Sequence, residues 1–142
     1  MHYYSTRGQD GPLGFEDALL SGLARDGGLY LPAEWPRFTE ADISAMQGLS
    51  YAELAGRIMA PFCDGEVDEA ELSAMAQDAY AGFDHPDIAP LVSLQDNLHV
   101  LELFHGPTIA FKDYAMQFLA RAFDRALKKN RQHAVSVGAT SG

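Results

Sequence analysis

Phe104-His105-Gly106-Pro107-Thr108-Ile109-Ala110-Phe111-Lys112-Asp113-Tyr114-Ala115 is the stretch on which the fold turns. Its first five residues are irregular, with Gly106 and Pro107 interrupting any regular element. Its end opens a helix, because Ala115, Phe118, Leu119, Ala122, Phe123 and Ala126 recur at helical spacing. Lys128, Lys129 and Arg131 stand near the C-terminus of that helix, where positive charge complements the macrodipole. Ala134-Val135-Ser136-Val137 then reads as a buried strand, and Gly138-Ala139-Thr140-Ser141-Gly142 as the loop leaving it. Helix, strand and glycine loop in that order are how an α/β sheet begins.

Working back from Phe104, Leu91-Val92-Ser93-Leu94 and Leu98-His99-Val100-Leu101-Glu102-Leu103 flank Gln95-Asp96-Asn97, the pattern of a hairpin. Asp84-His85-Pro86-Asp87 is a cluster of breakers, and the texture before it is helical. Leu19, Leu20, Leu23 and Ala24 recur at helical spacing up to a stop at Gly27-Gly28, and Leu29-Tyr30-Leu31-Pro32 reads as a short extended segment. Thr39 with Asp42, and Ser50 with Glu53, have the spacing of capping boxes that open two helices. The second carries the stripe Tyr51, Leu54, Ala55, Ile58, Met59 and Phe62. A third starts near Asp68 and sets Leu72, Met75, Ala76, Ala79, Tyr80 and Phe83 on one face. The expectation is a small helical domain over residues 1–88, then the opening of an α/β domain over residues 89–142. The chain stops before the helix that its terminal loop should introduce, so the second domain reads as cut short.

Composition bounds the function. The 142 residues are 47% hydrophobic and 21% charged, a globular balance that excludes a disordered tail. The formal net charge of −10 opposes binding to a phosphate backbone and argues against a nucleic-acid partner. That charge is unevenly placed. Residues 1–100 hold 4 Arg/Lys and 17 Asp/Glu, a net of −13, whereas residues 101–142 hold 6 and 3, a net of +3. The C-terminal part is therefore the place for an anionic ligand. Cys63 is the single cysteine, which excludes an internal disulfide and suits a reducing compartment. The N-terminus lacks the apolar core of a signal peptide, and no run approaches the ~20 apolar residues of a membrane span. A cytoplasmic protein without membrane partners is expected.

Lys112 is the first candidate for chemistry. It is the first lysine of the chain, and it follows Ile109-Ala110-Phe111 where a helix begins. An exposed lysine is only about 0.04% neutral at pH 7, and Schiff-base chemistry requires the neutral amine. Desolvation and the positive end of a helix dipole both favour that form, while Asp113 next door opposes it. By position alone a surface lysine with its stem along apolar neighbours is the plainer reading. The loop at Thr140, Ser141 and Gly142 is the second candidate, since glycines after a strand let backbone N–H groups face a carboxylate or phosphate. It is equally an ordinary strand-to-helix turn. The five histidines (His2, His85, His99, His105 and His133) lack metal-ligand spacing and read as scattered structural residues. His105 alone stands close to Lys112. Ser5-Thr6-Arg7-Gly8 could hold an anion through Arg7, though an exposed turn is the better reading.

The segment Phe104–Ala115 resembles the lysine motif of the threonine synthases, pyridoxal-phosphate enzymes of the tryptophan-synthase-β-like fold (fold type II). Asp26-Gly27-Gly28-Leu29-Tyr30-Leu31-Pro32 upstream and Ala139-Thr140-Ser141-Gly142 downstream resemble the family in the same order, as do Tyr3 and Ser5-Thr6-Arg7-Gly8. The resemblance implies that Lys112 carries pyridoxal 5'-phosphate as a Schiff base. It also implies that Thr140, Ser141 and Gly142 hold the carboxylate of O-phospho-L-homoserine, which becomes L-threonine and phosphate. It further implies an N-terminal portion of such an enzyme, inactive by itself. Two other readings stay open: a phospho-lyase of the same fold acting on the same substrate, and an acidic helical interaction module without chemistry.

Overall fold

A computed structural model describes residues 1–135. Five helices, α1 (Phe15–Ser21), α2 (Glu40–Ala45), α3 (Tyr51–Cys63), α4 (Glu69–Tyr80) and α5 (Asp113–Lys129), are joined by two small antiparallel pairs of strands. The first pair is β1 (Tyr3–Ser5) with β2 (Tyr30–Pro32), in the register Tyr3 to Pro32 and Ser5 to Tyr30. The second is the hairpin β3 (Leu91–Gln95) with β4 (Leu98–Leu101), where Leu91 faces Leu101 and a bulge lies between Ser93 and Gln95. Its turn places Asn97 at φ 62°, a left-handed conformation that asparagine tolerates better than most residues.

Local chemistry starts the helices as the spacing predicts. Thr39 and Ser50 each accept from the backbone N–H three residues on, while Asp42 and Glu53 reach back to the cap. Asp68 caps α4 by accepting from Glu71 N at 2.8 Å. The cap of α1 comes from elsewhere: Glu66 accepts from Phe15 N and Glu16 N, both at 2.9 Å. This carboxylate satisfies two of the N–H groups that a helix start leaves unpaired.

Two expectations are corrected. The first helix ends at Gly22, whose φ of 67° ends the helical path, so the stop is not at Gly27-Gly28. Leu23 and Ala24 lie beyond it, and Leu23 forms a bridge with Leu29. The strand read over Ala134–Val137 is absent where it is described: Ala134 and Val135 carry no strand, and Val135 is 89% exposed. Ser136 and Val137 lie outside the described residues.

The core lies between α3, α4 and α5. Leu72 is fully buried beside Cys63 and Val67; Ala76, Ala79 and Tyr80 form a second cluster, and Phe118 of α5 packs on both. The last helix is therefore seated on the helical unit. Its polar side is locked as well. Arg125 donates to both carboxylate oxygens of Glu71 (2.6 and 2.8 Å), to Glu66 O at 3.1 Å and to Glu16, and Lys129 donates to Glu16 at 2.8 Å. No helix among the described residues is long and apolar enough to cross a membrane.

Candidate active site

The chain reaches Lys112 through successive tight turns. Gly106 O accepts from Ile109 N at 3.0 Å, Ala110 O from Asp113 N at 2.9 Å, and Phe111 O from Tyr114 N at 3.3 Å. Lys112 is already helical in its backbone (φ −64°, ψ −20°). Its carbonyl accepts from Ala115 N at 3.1 Å and Met116 N at 2.8 Å, the first rungs of α5. Ile109 stands at φ 63°, an unusual conformation for a β-branched residue.

Lys112 itself is exposed and follows Ile109 and Phe111, which are 74% and 65% exposed. The other two lysines of the chain are ion-paired, Lys128 with Asp124 at 2.6 Å and Lys129 with Glu16 at 2.8 Å. Among the described residues Lys112 has no such partner. The side chain is thus open to solvent, as the plainer reading of this position has it, and its amine is accessible to a carbonyl.

Asp113, the next residue, turns inward and is 4% exposed. Its carboxylate accepts from Thr108 N at 2.7 Å and from Thr108 Oγ1 at 2.8 Å. Gly106 backs this contact so closely that a Cβ there would fall 2.5 Å from Asp113 Cβ. Only glycine fits. Tyr114 donates to Ile88 O at 2.6 Å, and Tyr80 donates to Tyr114 O at 3.0 Å, so the first turn of α5 is tied to α4 and to the segment before the hairpin.

His105 sits at the other end of this loop. Its Nδ1 lies 3.0 Å from Asp84 Oδ1 and its Nε2 lies 2.7 Å from Glu102 Oε2, with the ring side chain 14% exposed. The backbone closes the same bracket, as Asp84 N donates to His105 O at 3.0 Å. The hydrogen bond to Glu102 foremost, and then that to Asp84, raises the pKa of the imidazole above its usual value.

The sequence candidates now have places. Lys112 opens α5, and His105 is seven residues upstream in a carboxylate bracket. Thr140, Ser141 and Gly142 lie outside the described residues. Arg7 is absorbed in a turn: its Nη1 donates to Asp26 O at 2.8 Å, while Ser5 Oγ donates to Asp26 Oδ1 at 2.6 Å. His99 contacts Ser93 Oγ at 2.9 Å, and His85 accepts from Asp87 N at 3.1 Å, both local structural roles. Cys63 is no nucleophile, since burial pushes its thiol up to about 11. Sequence reasoning missed the inward turn of Asp113 onto Thr108. Its signal was a threonine and an acid five residues apart, flanking a glycine-proline break and a lysine.

Among the described residues, fold and site together define a mixed α and β unit that presents an unpaired lysine at the start of α5. The family described as "Threonine synthase N terminus" matches residues 2–80. The chain belongs to that family. It is 51% identical over 142 residues to a threonine synthase from Pseudomonas aeruginosa, a match covering all of this chain and 30% of that protein. The crystal structure of a PLP-bound threonine synthase from Brucella melitensis superposes with a TM-score of 0.88 at 53% identity, over 92% of this chain and 28% of that one. A threonine synthase from yeast superposes with a TM-score of 0.83 at 38% identity, over 91% and 27%. The chain spans about 30% of the length of the curated relatives it matches.

Proposed function

We propose that this chain forms the N-terminal part of a threonine synthase and supplies its cofactor-anchoring lysine. Residues 1–88 are the helical domain of that enzyme and residues 89–142 the opening of a fold-type-II, tryptophan-synthase-β-like domain. The observation that carries the reading is the motif Phe104–Ala115, whose Lys112 stands exposed and unpaired among the described residues at the start of α5. Identity of 51% to a threonine synthase across the whole chain supports it.

Pyridoxal 5'-phosphate fits this amine, because the group needs an accessible lysine without a competing carboxylate. When bound, it withdraws electrons from the substrate carbon skeleton. The work of the chain's own residues is what the resemblance implies for them. Lys112 Nζ would hold the cofactor, and the same amine would move protons at the substrate α and β carbons. Thr140, Ser141 and Gly142 hold the substrate carboxylate. The substrate is O-phospho-L-homoserine: phosphate leaves from the γ carbon, and water adds hydroxyl at the β carbon to give L-threonine.

The test is product analysis of the holoenzyme containing this chain, supplied with phosphohomoserine. Threonine and phosphate in equal amounts are expected, with loss of at least a thousandfold in Lys112→Ala. A keto acid in place of threonine would assign a phospho-lyase instead, and unchanged turnover in Lys112→Ala would remove the lysine from the reaction.

A further inference from the structure

We propose that Asp113, acting through Thr108, is a positioning residue that sets where the Lys112 amine stands. The inference rests on the reading of Lys112 as the cofactor-anchoring amine. Three other helices of this chain start on a cap that accepts from their own third N–H: Thr39, Ser50 and Asp68. Nothing of the kind starts α5, where Lys112 occupies the cap position and makes no side-chain cap. Asp113 turns its carboxylate away from the helix instead. It closes a ring back to Thr108, taking both the N–H (2.7 Å) and the hydroxyl (2.8 Å).

That ring encloses Ile109, Ala110, Phe111 and Lys112, and it has little slack. Ile109 is held at φ 63°, Gly106 leaves no room behind Asp113, and Ile109 N is tied to Gly106 O at 3.0 Å. A carboxylate that is 4% exposed and lacks a cationic partner among the described residues is costly to bury, and Thr108 supplies both compensating donors. Lys112 is the ring residue next to the closing carboxylate. Asp113 points inward and Lys112 outward from adjacent positions, so fixing one fixes the origin of the other. The lysine side chain has four rotatable bonds, and a fixed origin limits the volume its amine searches. A displacement of about 1 Å at a reacting group can cost around a hundredfold in rate.

The experiment compares Asp113→Asn, Thr108→Val and Thr108→Ser in the holoenzyme containing this chain. Three readouts are taken: kcat and KM, borohydride trapping of cofactor on Lys112, and the pH titration of the bound cofactor's absorbance. Asp113→Asn and Thr108→Val should each lower kcat at least tenfold with KM within threefold. Trapping on Lys112 should persist, and the absorbance titration should shift. Thr108→Ser keeps the hydroxyl and should return kcat to within threefold. If Asp113→Asn fails to fold, Thr108→Val carries the test alone. Turnover within twofold of the unsubstituted enzyme and an unmoved titration in Thr108→Val would overturn the proposal. So would loss of fold in Thr108→Val that Thr108→Ser does not rescue, which marks a merely structural contact. Absence of any adduct on Lys112 in the unsubstituted enzyme is a separate failure, since it removes the role of Lys112 and the inference with it.

Discussion

His105 shows how much a single side chain does outside the chemistry. Its ring bridges Asp84, at the end of the helical segment, and Glu102, at the end of the hairpin, before the chain turns toward Lys112. Both partners favour the imidazolium, so the folded-state pKa lies above the unfolded value of about 6.5. The stabilisation is fully present below that unfolded value and is lost as pH rises through the raised folded one. Comparing the unsubstituted protein with His105→Gln, the gap in Tm should be wider at about pH 6 than at about pH 9. A gap that is equal or wider at the alkaline end would remove the bracket. The place of Lys112 at a helix start was legible from its neighbours in sequence, because the apolar spacing from Ala115 onward marks the helix. The bracket was not, since Asp84 and His105 lie 21 positions apart and only the fold brings them together.

Among the elements, α5 matters most, since it carries Lys112 at one end and is anchored at the other. Arg125 joins it to Glu16 of α1 and Glu71 of α4, with Glu16 only 9% exposed at its side chain. Arg125→Ala strands that carboxylate with Lys129 alone, and breaking such a partly buried pair costs about 3 kcal/mol, or roughly 10 °C in Tm. Arg121→Ala removes an exposed pair with Asp78, whose carboxylate is 72% exposed, and should cost under about 1 kcal/mol. Thermal unfolding of the two variants checks the contrast, and equal losses would show that the Glu16 network is not the anchor. The capping boxes at Thr39 and Ser50 were readable because donor and acceptor lie three residues apart. The start of α1 was not, because its cap, Glu66, lies 51 positions from Phe15. The end of α1 was misplaced for a related reason. Leu23 and Ala24 continue the apolar spacing, but Gly22 turns the chain and Leu23 goes to a bridge with Leu29.

At the scale of the whole molecule, the acidic and basic segments are complementary: Arg121, Arg125 and Lys129 of the basic one pair with Asp78, Glu71 and Glu16 of the acidic one. The acidic residues 1–100 build most of the helical support, and the basic residues 101–142 carry the lysine. The hairpin and the residues just before Lys112 expose apolar side chains. Leu91, Leu94, Leu98, Leu101, Ile109 and Phe111 range from 49% to 74% exposed, and the hairpin is exposed at every position of both strands. A hairpin open on both faces is marginal in water unless something packs on it, which accords with relatives some three times as long. The sequence conveyed the change from helices to a hairpin as a break in texture after Asp84–Asp87. It could not convey that α5 would dock back onto α4, because Phe118 meets Leu72 and Tyr80 only through tertiary packing. The central claim is that Lys112 anchors pyridoxal phosphate, and the most direct measurement is borohydride reduction of the holoenzyme followed by peptide mass mapping. A pyridoxyl adduct on Lys112, with Lys128 and Lys129 unmodified, is the predicted result. An adduct on either of those two lysines with none on Lys112, or no adduct at all, would contradict it.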